Sequence, residues 1–115
     1  MVSTTETGNS AEARAVALLL REGYQIVERN FRIKGGELDI VARDNGVLVF
    51  VEVRSRGDAD HGHAAEMVDR AKQRQVARVA LQYIALRDPD FARSRFDVVA
   101  ITGEQIDLIR DAWRT

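Results

Sequence analysis

The sequence predicts an α/β fold in which helices flank one mixed five-stranded sheet, in the order αβββαββ. Three observations predict it. Apolar and polar residues alternate on both sides of Asn45-Gly46, a dipeptide that favours a two-residue hairpin with a type I′ turn. Apolar residues recur at helical spacing before Gly23 and again between Glu66 and Leu86. With 115 residues the chain has room for a single domain, expected over 1–115 with 1–8 as a mobile polar tail.

Asn9 is placed to cap a first helix running to about Glu22, with Gly23 ending it and Ala13, Val16, Ala17, Leu19 and Leu20 as its apolar stripe. Tyr24 to Arg32 returns as a strand. The hairpin follows: Gly36-Glu37-Leu38-Asp39-Ile40-Val41 leads into Asp44-Asn45-Gly46, and Val49-Phe50-Val51-Glu52-Val53-Arg54 leads out. Leu38, Ile40 and Ala42 with Val49, Val51 and Val53 are expected to form its buried face. The other face carries Glu37, Asp39, Glu52 and Arg54 beside Val41 and Phe50, which predicts partial cover there too. A loop from Ser55 to about Ala65 holds Gly57, Gly62, His61 and His63. The long helix from Glu66 to Leu86 is closed by Asp88-Pro89-Asp90. Phe96 to Ile101 reads as a fourth strand, Thr102-Gly103-Glu104 as a turn and Gln105 to Ile109 as a short fifth, with Ala112-Trp113 packing the end.

The turn sets the register of the hairpin. If Asp44 pairs with Val47, Asp39 faces Glu52 and Glu37 faces Arg54. Opposed side chains lie roughly 5 Å apart, and two carboxylates at that separation repel by about 3 kcal/mol at an effective dielectric of about 20. A shared proton, a neighbouring cation or a divalent ion would offset the repulsion. One reading is therefore a solvated face neutralised by Arg54; the other is a metal site. For the second, Mg²⁺ or Mn²⁺ suits hard oxygen ligands better than zinc, since the chain has no cysteine and only His61 and His63 as histidines.

Composition narrows the classes. Hydrophobic residues at 45% and charged residues at 30% are an ordinary soluble balance, and the lack of cysteine excludes a disulfide scaffold and a thiolate nucleophile. The polar start has no signal-peptide pattern and no segment is apolar enough to span a bilayer, so a cytoplasmic protein without a membrane partner is expected. Net charge is −1, but from Arg70 to Arg95 seven basic residues stand against two acidic ones, while positions 1 to 69 hold eight basic and twelve acidic. An acidic part beside a basic part suits a metal-dependent enzyme acting on a polyanion, and surface ion pairs produce the same imbalance.

Single residues carry paired readings. Glu12 points toward the packed stripe of the first helix; it either closes a capping box with Asn9 or supplies a third carboxylate. Arg54 follows Glu52 on the same strand face and suits a scissile phosphate, but a guanidinium stays protonated and cannot act as a general base. Lys72 lies on the helix side of Val68, Val79 and Tyr83, either snorkelling or aimed at the acids, and Gln75 shares its direction. Arg70, Arg74 and Arg78 line a separate flank, suited to phosphates or to solvent. His61 and His63 sit in a loop and make no site by themselves. Asp97, in Arg95-Phe96-Asp97, is expected to pair with an arginine or cap a turn.

Several of these residues together resemble a known family. Gly8-x-x-x-Glu12-x-x-Ala15, Gly23-Tyr24, Arg29-Asn30-x-Arg32, Gly36-Glu37-Leu38-Asp39-Ile40, Phe50-Val51-Glu52-Val53-Arg54-x-Arg56, Lys72 and Arg95-Phe96-Asp97-Val98-Val99 resemble the bacterial YraN family, also called UPF0102. That family is similar to the PD-(D/E)xK nucleases, especially archaeal Holliday-junction resolvases. The resemblance implies a restriction-endonuclease-like core in which Glu12, Asp39 and Glu52 take the acidic roles around Mg²⁺ or Mn²⁺. Arg54 falls where the nuclease lysine belongs, which leaves Lys72 as the substitute cation. It also implies a nucleic-acid partner, DNA more than RNA and branched DNA in particular, with Arg32, Lys34, Arg56, Arg70, Arg74 and Arg78 as expected contacts. The resulting expectation is a metal-dependent endonuclease, with a homodimer as a further partner state. The alternative is a catalytically incomplete nucleic-acid-binding or recombination-accessory module, and a protein scaffold is the third reading.

Overall fold

The computed structural model describes residues 4–56 and 68–115. Helix α1 (Thr4–Arg21) leads into β1 (Gln25–Ile33), β2 (Gly36–Asp44) and β3 (Val47–Arg56); α2 (Arg70–Arg87) then precedes β4 (Ser94–Thr102) and β5 (Gln105–Trp113). The five strands form one sheet in sequential order. Only β3 and β4 run parallel; every other neighbouring pair is antiparallel. The parallel step needs a crossover, and α2 supplies it.

The helices cover opposite faces, as the αβββαββ order predicts. Ala15 and Leu19 of α1 pack with Tyr24, Ile40, Ala42, Val49, Val51, Val99 and Ile101. On the other face Val76, Val79, Ala80 and Tyr83 of α2 pack with Phe31, Leu38, Val41, Phe50 and Val98. With both faces apolar, the central strands read as nearly continuous hydrophobic runs.

The hairpin register follows the turn. Asn45 and Gly46 both have positive φ (50° and 83°), as a type I′ turn requires, and Asp44 pairs with Val47 through to Ile40 with Val51. Leu38 departs from expectation by packing on the α2 face, although Ile40 packs on the α1 face. Asn30 and Asp39 lie between the pairs Arg29–Ile40 and Phe31–Leu38. Asn30 adopts the left-handed conformation at φ 56°, and this irregularity breaks the two-residue alternation there.

Helix α1 begins at Thr4, so Asn9 lies within it rather than at a cap, and 4–8 belong to the helix. Its inward face is Ala15 and Leu19, with Ala11, Val16 and Leu18 partly packed; Leu20, expected inside, is exposed. Helix α2 starts at Arg70 rather than Glu66. Asp69 caps it by accepting from the Lys72 N–H at 2.9 Å. His61, His63 and most of their expected loop lie outside the described residues. β5 is longer than expected and reaches Trp113. An irregularity between Phe96 and Val98, with Asp111 at φ 52°, lets the strand resume pairing at Trp113. No helix among the described residues is long and apolar enough to cross a membrane.

Candidate metal and nucleic-acid site

Asp39 and Glu52 lie where the β2–β3 ladder opens. The backbone pairing ends at Ile40–Val51, and the Asp39 carboxylate accepts the Val53 N–H at 2.8 Å. A side chain thus satisfies a strand amide, and the two acids occupy the fork between the strands. Glu52 is almost fully buried and meets two cations: Arg54 Nη2 at 3.1 Å and Lys72 Nζ at 3.8 Å. Lys72 also donates to Gln75 Oε1 at 3.4 Å, while the Gln75 amide donates to the Gly35 carbonyl. Gln75 ties α2 to the β1–β2 turn and steadies the lysine.

Close approach of α2 requires Gly36. A β-carbon there would come within 2.7 Å of Val79 Cγ2 and 3.3 Å of the Gln75 amide nitrogen. The glycine therefore sets how near Lys72 comes to the sheet.

The electrostatics reflect crowding of acids in a dry place. Burial pushes the Glu52 carboxyl up to about 7; the Asp39 charge adds to the rise, and Lys72 and Arg54 oppose it. Burial also raises Asp39, opposed first by the Val53 N–H and then by Arg54. A proton near neutrality is thus part of how this pair is accommodated.

The remaining candidate residues are placed differently. Glu37 bonds Arg32 at 3.0 Å, correcting the expected partnership with Arg54: β1 pairs Arg32 with Glu37 directly. Glu12 is buried and accepts from Arg29 at 2.8 Å and Asn30 at 3.1 Å, so it is held by β1 and not by a capping box. Among the described residues no three of His, Cys, Asp and Glu gather closely enough to hold an ion. Two carboxylates still fit a hard ion such as Mg²⁺ or Mn²⁺ as a partial set, because Mg²⁺ commonly keeps several waters and substrate phosphate oxygens. Beside the pair opens a hollow of about 390 Å³ lined by Arg32, Gly36, Glu37, Lys72 and Gln75. Lys34 is exposed on the rim of a second hollow with Arg78. Arg56 ends β3 with a buried Nε that finds no partner among the described residues. Arg70, Arg74 and Arg78 are exposed along the outer flank of α2.

A second polar cluster was not expected at this size. Asp97, fully buried, accepts from Tyr24 Oη at 2.6 Å, from Arg95 Nε at 2.9 Å and from the Asp111 N–H at 2.9 Å. Arg95 also reaches Asp44 at 2.6 Å. Burial and the Asp97 hydrogen bond raise the Tyr24 phenol to about 12. Arg95-x-Asp97 at strand spacing was the legible part, and the expected arginine pairing is found. Nothing in the spacing pointed to Tyr24, 73 residues away.

The fold and this acid–cation fork define an α/β domain of nuclease-like architecture. Comparison with known proteins makes the assignment specific. Residues 11–101 match the uncharacterised protein family UPF0102. The chain is 47% identical to a UPF0102 protein of Methylibium petroleiphilum, over 98% of each chain. It is 42% identical to one of Persephonella marina, over 92% of this chain and 91% of the relative. A third, from Syntrophus aciditrophicus, is 39% identical over 98% and 92%. The chain belongs to the UPF0102 family, which is distantly related to the PD-(D/E)xK nucleases.

Proposed function

We propose that this chain binds nucleic acid through the face around Asp39, Glu52, Arg54 and Lys72, as a catalytically incomplete, recombination-accessory type of module on a nuclease-like fold. One observation carries this reading. The buried Glu52 already has two cations on it, and Glu12 is engaged by Arg29 and Asn30. Glu12 and Glu52 are paired by the chain's own cations, while Arg32 and Lys72 line the adjoining hollow and can meet phosphate oxygens there. DNA is the favoured partner, and branched DNA is the substrate to try first.

A second reading, a metal-dependent endonuclease, is favoured by a separate observation: Glu52 has a proton affinity near neutrality at the strand fork, beside Asp39. Asp39 and Glu52 would hold Mg²⁺ or Mn²⁺, with Glu12 as an outer acid. The ion would neutralise phosphate charge and favour ionisation of water. Arg54 would hold the phosphate, and Lys72 would add positive charge and carry a proton that arginine cannot release.

The separating experiment is binding and product analysis on linear, flapped and four-way DNA and matched RNA, with Mg²⁺, Mn²⁺ or EDTA. Binding in EDTA with no products under any ion supports the module. Ion-dependent products that E52Q abolishes establish the enzyme, and absence of binding to every probe rejects both.

A further inference from the structure

A second surface, on the other flank of α2, has features that the acid fork does not use. Arg70, Arg74 and Arg78 stand at i, i+4 and i+8, all exposed, and none has a carboxylate within ion-pairing distance among the described residues. Like charges at i, i+4 destabilise a helix by roughly 0.2–0.5 kcal/mol per pair. A row that repels itself and lacks an internal partner is suited to an external polyanion. The stripe extends about 12 Å along the helix axis at 1.5 Å per residue.

Beneath the stripe is a hollow of about 650 Å³, lined by those arginines with Gln73, Ala77 and Trp113. Its floor is apolar and its rim is basic. Trp113 is firmly held: it is buried, stacks on Phe96 at 4.8 Å, and its indole nitrogen has no acceptor among the described residues. The volume lies within the range of small-ligand pockets. An occupant that matches both parts has a flat apolar body and a phosphate. Bases of a duplex are stacked inside it, so only an unpaired nucleotide can present both.

We propose that this hollow is a subsite for an unpaired nucleotide of the bound nucleic acid, with the base over Ala77 and Trp113 and neighbouring phosphates on Arg70, Arg74 and Arg78. This rests on the nucleic-acid reading above and extends it to substrates with a single-stranded part. Lys72 and the arginine row lie on different flanks of one helix, so a strand leaving the acid fork would be caught on the far side.

Trp113 is the one tryptophan of the chain; it lines this hollow and also a second one beside Arg93 and Arg95, so its fluorescence reports binding at either and the arginine-row variant tells them apart. The test titrates the full chain with a twelve-nucleotide oligo-dT, a blunt duplex of the same length and inorganic phosphate. Oligo-dT should change the Trp113 emission saturably, whereas duplex and phosphate should not. A triple R70A/R74A/R78A variant should bind oligo-dT about tenfold more weakly, with a salt slope lower by about 2, the value for three single-strand phosphate contacts. K72M, at the acid face, should weaken oligo-dT binding while the saturating Trp113 change is still reached. Unchanged affinity and slope in the triple variant, or an equal response to duplex, overturns the subsite. Binding lost in K72M but not in the triple variant leaves the acid-face reading standing and removes this one. No binding to any probe removes both.

Discussion

Replacing Glu52 by glutamine should stabilise the protein at alkaline pH, because the native fold holds this carboxyl against its ordinary tendency to ionise. An unfolded glutamate titrates at its ordinary value of 4.5, and the folded one at about 7. Between those values the native state binds more protons than the unfolded state, so stability falls as pH rises. The penalty is absent below about pH 4.5 and complete above about pH 8. Each pH unit of that interval corresponds to about 1.4 kcal/mol, which gives about 3 kcal/mol for the whole. Glutamine removes this penalty but leaves Arg54 and Lys72 without a counter-charge. Both cations keep about a quarter of their side-chain surface exposed, so water takes over much of their solvation. The net gain at pH 8 is therefore set at about 1–3 kcal/mol, shrinking toward zero or below at pH 4.5. Urea unfolding of wild type and E52Q across that range measures it. A difference between the two proteins that does not change with pH refutes the assignment of this proton to Glu52.

Four further outcomes follow from the same geometry. G36A should lose about 1–3 kcal/mol in urea unfolding, since its β-carbon would meet Val79 Cγ2 at 2.7 Å, and adding V79A should restore part of the loss. D97N should cost about 3–5 kcal/mol by leaving Arg95 in a site built for a carboxylate, a larger loss than Y24F, and thermal melts of both variants rank them. Ultraviolet titration should show both tyrosines delayed by burial, with a transition near 12 that Y24F removes. Mn²⁺, if held by Asp39 and Glu52, should raise the melting temperature more at pH 8 than at pH 5.5, because protons compete for the same oxygens, and E52Q should abolish the increment.

The parts of the fold legible in the sequence were those fixed by local rules. Asn45-Gly46 constrains two backbone conformations and thereby the register, so the pairs from Asp44–Val47 to Ile40–Val51 could be written down beforehand. Lys72 could be aimed at the sheet from helical spacing, and its ammonium lies 3.8 Å from Glu52. The misassignments arose where a local rule yielded to a tertiary one. Leu38 packs on the opposite face from Ile40 where the left-handed Asn30 interrupts alternation on the paired strand, and nothing in the Leu38-Asp39-Ile40 pattern encodes that backbone conformation. Glu37 opposite Arg54 would need the ladder to continue past the point where Asp39 opens it; β1 holds the nearer arginine, Arg32. Glu12 could be placed inward but its partners could not, since Arg29 and Asn30 meet it only after β1 folds back along α1.

The two cations on Glu52 differ in what holds them. Arg54 shares a strand with the acid, two residues away, so its distance is built into the pleat and changes little when anything binds. Lys72 comes from α2, whose approach depends on Gly36, Val79 and the Gln75 bond to Gly35. Anything entering the hollow between Arg32, Glu37, Lys72 and Gln75 therefore acts on the lysine first. A phosphate there would draw the ammonium away from Glu52 and raise the carboxyl's proton affinity further; a divalent ion at the acids would do the reverse, expelling the proton and repelling both cations. The two ligands thus compete through Lys72 when bound alone, yet assist one another when the phosphate itself completes the ion's coordination. The sign of that coupling is the physical difference between the two functions. In the binding module, Mn²⁺ should weaken DNA binding in K72-dependent fashion; in the nuclease, it should tighten it, and anisotropy titrations of wild type and K72M with and without Mn²⁺ read the sign directly.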